Sequence, residues 1–175
     1  MELKIIDRAD KADINLPNEP FAIYGRMIPS LSDGVWSFTT ELFPKDRIET
    51  MTFPDEDYDF DEMSKDCVFV GAYENGACVG LAVWRKEWHK YLYLHDLKVA
   101  AAHRGAGVGR ALVENGKELA RSLGYRGVYT VGQDDNLAAC AFYIKCGFCI
   151  GGFNNRVYGG TSQQGKGDIY FYFDV

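Results

Sequence analysis

AAHRGAGVGRAL, residues 101–112, is the stretch on which the reading of this sequence turns. Gly105, Gly107 and Gly109 alternate here, straddled by Arg104 and Arg110, and residues at helical spacing follow. Positions 108, 112, 116, 119 and 123 are apolar or small and step by four, four, three and four, one stripe of a 3.6-residue period. A helix is predicted from about Gly107 to Leu123, with Gly124 as its C-terminal stop. Before it, YLYLHDLKV (91–99) reads as a strand apolar on both faces, and so central in a sheet.

A strand, a glycine-rich turn and a helix start together make an anion site. The first helical N–H groups lack partners, and the helix dipole favours negative charge. Glycine permits positive φ and lets a ligand approach the backbone closely. The turn is read as a phosphate cradle, with Arg104 and Arg110 adding charge at its rim. A loop that only turns the chain is the alternative. Two other phosphate motifs are excluded: a dinucleotide fingerprint needs glycine where Arg110 stands, and no lysine follows Gly109 as a P-loop requires.

The flanking sequence gives a mixed α/β sheet. FAIYGRMIP and GVWSFTTELF look like strands joined by the turn SLSDG. CVFVGAYENGACVGLAVWRK reads as two strands around a tight Asn75-Gly76 turn. GVYTV is a further strand, NLAACAFYIKC a second helix capped by Asn136, and GFCIGGFNNRVY and DIYFYFDV close as strands. About six or seven strands flanked by helices are expected, in one domain over residues 1–175. Between them, FPDEDYDFDEMSKD carries six acids from Asp55 to Glu62 and is read as a loop over about 54–66. It is either a solvated segment or a lid that recruits cations.

The 175 residues are 47% apolar and 14% aromatic, enough for a folded core, and the net charge of −6 argues against a general nucleic-acid binder. No apolar run is long enough to cross a bilayer, and MELKIIDRAD has no signal-peptide core, so no membrane partner and a cytoplasmic location are expected. The five cysteines are scattered, which fits a reducing compartment. Cys146 and Cys149 form a lone C-x-x-C without a second pair or histidines at ligand spacing, so they are read as buried small side chains and no metal is expected.

RGAGVG (104–109) and NLAACAFYIKCGF (136–148) resemble the two signatures of the GCN5-related N-acetyltransferases: Arg/Gln-x-x-Gly-x-Gly/Ala, then Asn-x-x-Ala-x-x-Phe-Tyr-x-Lys-x-Gly-Phe. The resemblance implies that the backbone of Arg104, Gly105, Ala106, Gly107, Val108, Gly109 and Arg110 holds the pyrophosphate of acetyl-CoA. Leu97, Lys98 and Val99 would pair with its pantetheine arm like an added strand, and Asn136, Tyr143 and Lys145 belong to the second signature. FPDEDYDFDE, GLAVWRKEWHKYLYLHDLKV and GGFNNRVYGGT are similar to the streptothricin (nourseothricin) acetyltransferases in particular. That implies transfer of acetyl to a primary amine of a cationic small molecule, with homodimers frequent in the family. Another amine (a polyamine, an amino acid or a protein N-terminus) and a non-catalytic acyl-CoA sensor are the alternatives.

The amine must lose a proton before it attacks, and the departing thiolate must gain one. By resemblance Tyr143 is the acid and Asp96 the base or amine anchor; the alternatives are a core aromatic and an aspartate paired with a nearby lysine or arginine. His95 is either the base or an uncharged neighbour. Asp55, Asp57, Asp59, Trp88, Tyr93, Asp96 and Tyr158 are the expected substrate contacts. Acids usual in those relatives are replaced at His95, Val131 and Asn154, so part of the docking of a polycation is lost unless the 55–62 acids compensate.

Overall fold

Both faces of the strand ACVGLAVWR are apolar, and both are covered. In the computed structural model, which describes residues 1–175, the chain divides into two compact units. The first takes residues 1–20, 52–128 and 174–175; the second takes 21–51 and 129–173. In chain order the elements are β1 (Glu2–Ile5), β2 (Phe21–Ile23), β3 (Gly25–Ser32), β4 (Val35–Leu42), β5 (Glu49–Met51), α1 (Phe60–Met63), β6 (Cys67–Glu74), β7 (Ala77–Arg85), β8 (Tyr91–Val99), α2 (Val108–Ser122), β9 (Gly127–Gln133), α3 (Leu137–Lys145), β10 (Cys149–Asn154) and β11 (Asp168–Asp174). The expected α/β class holds: in the first unit the strand order is β1-β6-β7-β8, and in the second β9, β11 and β10 follow one another.

In the first unit β1, β6, β7 and β8 pair antiparallel, and Asn75-Gly76 closes the β6–β7 hairpin with both φ positive (51° and 81°). One face of β7 looks at α2. A Cβ on Gly116 would lie 1.8 Å from Trp84 Cζ2, and one on Gly80 would lie 2.8 Å from Val108 Cγ1, so only glycine lets the helix sit this close. The other face buries Leu81 and Val83 with Phe69, Cys67, Ile6 and Ile14, and Tyr58, Phe60 and Met63 pack against that cluster. Burial on both sides is why β7 reads as a continuous apolar run rather than an alternation.

The buried row on α2 runs 108, 112, 116 and 120, with 113 and 117 beside it; Leu119 is half-buried and Leu123 is 42% exposed. The expected stripe therefore holds for its first three members and drifts off the sheet at its last two. Lys117 lies in the buried row with its ammonium 2.8 Å from Glu114 Oε1, so a charged residue occupies a place that an apolar pattern search passes over.

In the second unit β3 and β4 form a hairpin whose turn is only Asp33-Gly34, both at positive φ (50° and 78°). The strand thus runs on through Ser32, part of the stretch expected to turn. Asn136 caps α3 as expected, its side chain accepting from the Ala139 N–H at 3.2 Å. Cys67, Cys140 and Cys146 are buried, but Cys149 is exposed, so the reading of the C-x-x-C as two core residues is corrected for its second member.

Candidate active site

Strand β8 carries a bulge where the chemistry is expected. Val83 pairs with Asp96 and Trp84 with Leu94, so the register skips His95. A bulge turns two successive side chains to the same face. Leu94 and Leu97 sit in register with Trp84 and Ala82, whereas Asp96 and Lys98 stand opposite Val83 and Leu81 on the other face. The rings of Tyr93 and His95 meet at 5.7 Å, and His95 meets Tyr58 at 6.1 Å. Tyr93, His95, Asp96 and Lys98 are thereby gathered on one face, which strict alternation would forbid.

Over that face runs the acidic segment, and it is fastened. Asn15 brackets Tyr58: its Nδ2 donates to the Tyr58 carbonyl at 3.0 Å, and its Oδ1 accepts from the Tyr58 N–H at 2.8 Å. Asn18 does the same further back, donating its N–H to Asp55 Oδ1 (2.6 Å) and its Nδ2 to Pro54 O (2.8 Å) and Glu56 Oε2 (2.9 Å). The segment expected as a loop contains the four-residue helix α1, capped by Asp59, whose carboxylate accepts from the Glu62 N–H at 2.8 Å. Asp61 pairs with Arg8 at 2.5 Å.

Burial alternates along this strap. Asp55, Asp57 and Asp59, the acids expected to meet substrate, are exposed, while Glu56, Tyr58 and Phe60 between them are half-buried. Glu56 and Tyr58 are the functional candidates that sequence reading passed over. The signal was a two-residue alternation, one acid and two aromatics, hidden inside a run scored for its charge.

Asp96 is where the strap and the strand meet. Its Oδ2 accepts from the Tyr58 hydroxyl at 3.3 Å and lies 3.4 Å from Lys98 Nζ, so both partners use one oxygen and Oδ1 carries neither bond. Its side chain is 16% exposed. Pairing with a lysine, one of the two expectations for Asp96, is observed; the open oxygen keeps the other. Burial pushes the Asp96 carboxyl above the ordinary carboxylate range, Lys98 pulls it down and Glu56 raises it. Burial, then Arg85, holds the His95 imidazole below its ordinary value and so neutral at pH 7. Burial, followed by the charges of Asp96 and Glu56, pushes the Tyr58 phenol well up, so it stays a donor. Arg85 is itself held by Glu87 (2.8 Å) and stacks over Tyr93 at 5.3 Å.

At the end of β8 the glycine turn has the geometry a phosphate needs. Gly105 and Gly107 sit at φ 77° and 89°, Gly107 is the N-cap of α2, and a Cβ built on either meets nothing within 4 Å. The first helical bond closes from Ala111 N–H to Gly107 O, which leaves the amides of Val108 and Gly109 at the helix mouth without an intrahelical partner. The residues present therefore fit a bound pyrophosphate. Arg104 is placed otherwise than its expected rim role: its guanidinium donates to the carbonyls of Val99 (3.0 Å), Pro20 (2.6 Å) and Glu19 (3.2 Å). It braces the turn, while Arg110 is exposed in the first turn of α2. Trp88, in the loop before β8, is 92% exposed with its ring 5.5 Å from that of His89.

The remaining expected residues lie in the second unit. Tyr143 is buried on α3, its ring 5.4 Å from Phe171, 5.5 Å from Phe142 and 5.8 Å from Phe148. Lys145 is in the last turn of the same helix. Tyr158 donates to Asp168 Oδ1 at 2.9 Å, and burial pushes its phenol up to about 12. Asp168 stands directly across the β10–β11 ladder from Asn154, one of the positions read as having lost an acid, so a carboxylate is present there from the neighbouring strand. Burial raises that carboxyl as well. Val131 is half-buried on β9.

The acetyltransferase (GNAT) family model matches residues 33–148. Streptothricin acetyltransferase A of Bacillus subtilis (strain 168) is 35% identical over 161 residues, 92% of either chain. The streptothricin acetyltransferase of Escherichia coli is 30% identical over 114 residues, 65% of this chain and 66% of that one. A Bacillus anthracis str. Ames protein provisionally assigned as a streptothricin acetyltransferase, solved with acetyl coenzyme A, matches with a TM-score of 0.88 and 27% identity over 99% of both chains. A nourseothricin acetyltransferase shares the fold at a TM-score of 0.79, with 24% identity over 99% of this chain and 97% of that one. With an open glycine turn at the mouth of α2 and matches of this extent, the chain belongs to the GNAT family and is an acetyl-CoA-dependent N-acetyltransferase.

Proposed function

We propose that this enzyme acetylates a primary amine of a cationic small molecule, with streptothricin-type antibiotics as the acceptor class. The match to streptothricin acetyltransferase A along 92% of both chains carries the reading. The open Oδ1 of Asp96 supports a cationic acceptor. The reading has the enzyme act in the cytoplasm.

Acetyl-CoA supplies an activated acetyl thioester. The amides from Gly105 to Gly109 hold its pyrophosphate, and the backbone of Leu97–Val99 aligns its arm. Asp96 accepts a proton from the acceptor's ammonium at Oδ1, directly or through one water, which frees the nitrogen lone pair. Its raised affinity for protons, set mainly by burial, suits it to that transfer. His95, neutral, packs beside it. Tyr143 holds the proton that the departing sulphur takes. An acceptor screen by thiol release, with streptothricin, polyamines and amino acids side by side, tests the reading. Thiol release with streptothricin in clear excess over the others is expected, and equal or better turnover of a simple amine overturns the acceptor class.

A further inference from the structure

Lys98 is a buried lysine with more anionic neighbours than it needs. Its side chain is 6% exposed, and three acceptors surround its ammonium: the Leu16 carbonyl at 3.1 Å, Glu56 Oε2 in a close contact, and Asp96 Oδ2 at 3.4 Å. A charge so buried persists only where its surroundings compensate it. One ammonium between two carboxylates leaves a net negative charge. If the ammonium is removed, two carboxylates face each other and one of them must take a proton.

We propose that Lys98, braced by Glu56, is a positioning residue for proton removal: its ammonium keeps the Asp96 carboxylate charged and occupies Oδ2, leaving Oδ1 for the acceptor. The proposal rests on Asp96 as the base. The groups facing Asp96 are Lys98 on its own strand, His95 at the bulge, and Glu56 and Tyr58 on the strap, with Arg85 acting through His95. Burial acts most strongly on Asp96, and among the charged groups facing it Lys98 opposes that effect while Glu56 adds to it, so Lys98 is the main group holding the carboxylate charged. The Lys98–Glu56 contact also holds the strap, beside Asn15 and Asn18, and the experiment must separate the two roles.

The test is a ¹³C NMR titration of the Asp96 carboxyl, run beside the pH profile of kcat/KM, in wild type, Lys98→Met and Glu56→Gln. Lys98→Met removes the Lys98–Glu56 contact and Glu56→Gln reduces it from an ion pair to a bond with a neutral acceptor, so both weaken the hold on the strap. Loosening alone would hydrate Asp96 and lower its midpoint in both. The proposal instead requires opposite signs: Lys98→Met raises the midpoint by about one to three units, and Glu56→Gln lowers it. The acid limb of kcat/KM follows each. Midpoints that move together, or not at all, overturn the role of Lys98. Should Lys98→Met fail to fold, a midpoint unmoved or raised in Glu56→Gln overturns it alone. Asp96→Asn distinguishes the underlying reading: an acid limb that survives this change overturns Asp96 as base, whereas a lost limb with unmoved midpoints counts against Lys98 only.

Discussion

The Tyr58 hydroxyl donates to Asp96 Oδ2 across 3.3 Å, joining the acidic strap to the bulge of β8. A charged acceptor makes this bond stronger than a neutral one; bonds to charged groups contribute about 1.5–3 kcal/mol. Tyr58→Phe keeps the ring in its cluster and removes only the donor. The carboxylate then loses a bond that favours its charged form, so Asp96 should hold its proton to higher pH. The acid limb of kcat/KM should move up, with activity at pH 7 falling up to about tenfold and recovering at pH 9. A profile that superposes on wild type would show that the bond has no part in setting Asp96.

Gly107 tests the cradle. At φ 89° a β-branched residue is strained, and its side chain would project into the open space that a pyrophosphate takes. Gly107→Val should lower acetyl-CoA affinity at least tenfold, which is about 1.4 kcal/mol. Calorimetry on the folded variant measures this; unchanged affinity would place the cofactor elsewhere.

Tyr143 tests the acid. Tyr143→Phe preserves the ring contacts with Phe142, Phe148 and Phe171, so the fold should survive. If the hydroxyl protonates the leaving group, kcat falls by ~10²–10⁴ with acetyl-CoA affinity nearly unaltered. Near-normal kcat, where chemistry limits turnover, would leave Tyr143 as a packing residue.

The outward acids are separable. Asp55, Asp59 and Asp61 each hold a partner in the fold, whereas Asp57 is exposed and makes no such bond. Asp57→Asn is therefore the clean probe of long-range attraction. It should raise KM for a cationic acceptor chiefly at low salt, because at physiological strength the Debye length is ~8 Å, and it should leave kcat alone. Equal salt profiles for the two proteins would exclude Asp57 from recruitment.

Asp96 also makes a stability prediction. Its folded-state pKa is raised, so its contribution to stability is fully present below the ordinary carboxylate value and lost as pH rises through the raised one. At pH 7 the buried charge therefore works against the fold. Asp96→Asn should match or exceed the wild-type Tm at pH 7, with that advantage shrinking as pH falls below about 4. A lower Tm at pH 7 and an equal one at pH 3 would reverse the sign and mark Asp96 as a net stabiliser.

The sequence by itself determined whatever depends on neighbours along the chain. Helix periodicity set α2, the Asn-Gly pair set the β6–β7 turn, Asn136 set the start of α3, and alternating glycines announced a backbone at positive φ. These are local constraints, written in spacing and residue type. Even the alternation of Glu56, Tyr58 and Phe60 was legible, had charge not drawn attention from period. Three features were not. The bulge at His95 shows only when β8 is laid against β7, because an extra residue is extra only relative to a partner strand. The fastening of the strap depends on Asn15 and Asn18, some 40 residues away, whose amides could as well have capped a turn of their own. And the state of Asp96 is set by its burial first and then by Lys98 and Glu56, two charges whose separation and burial are properties of the packed strap alone, since dielectric and distance decide the size of each effect.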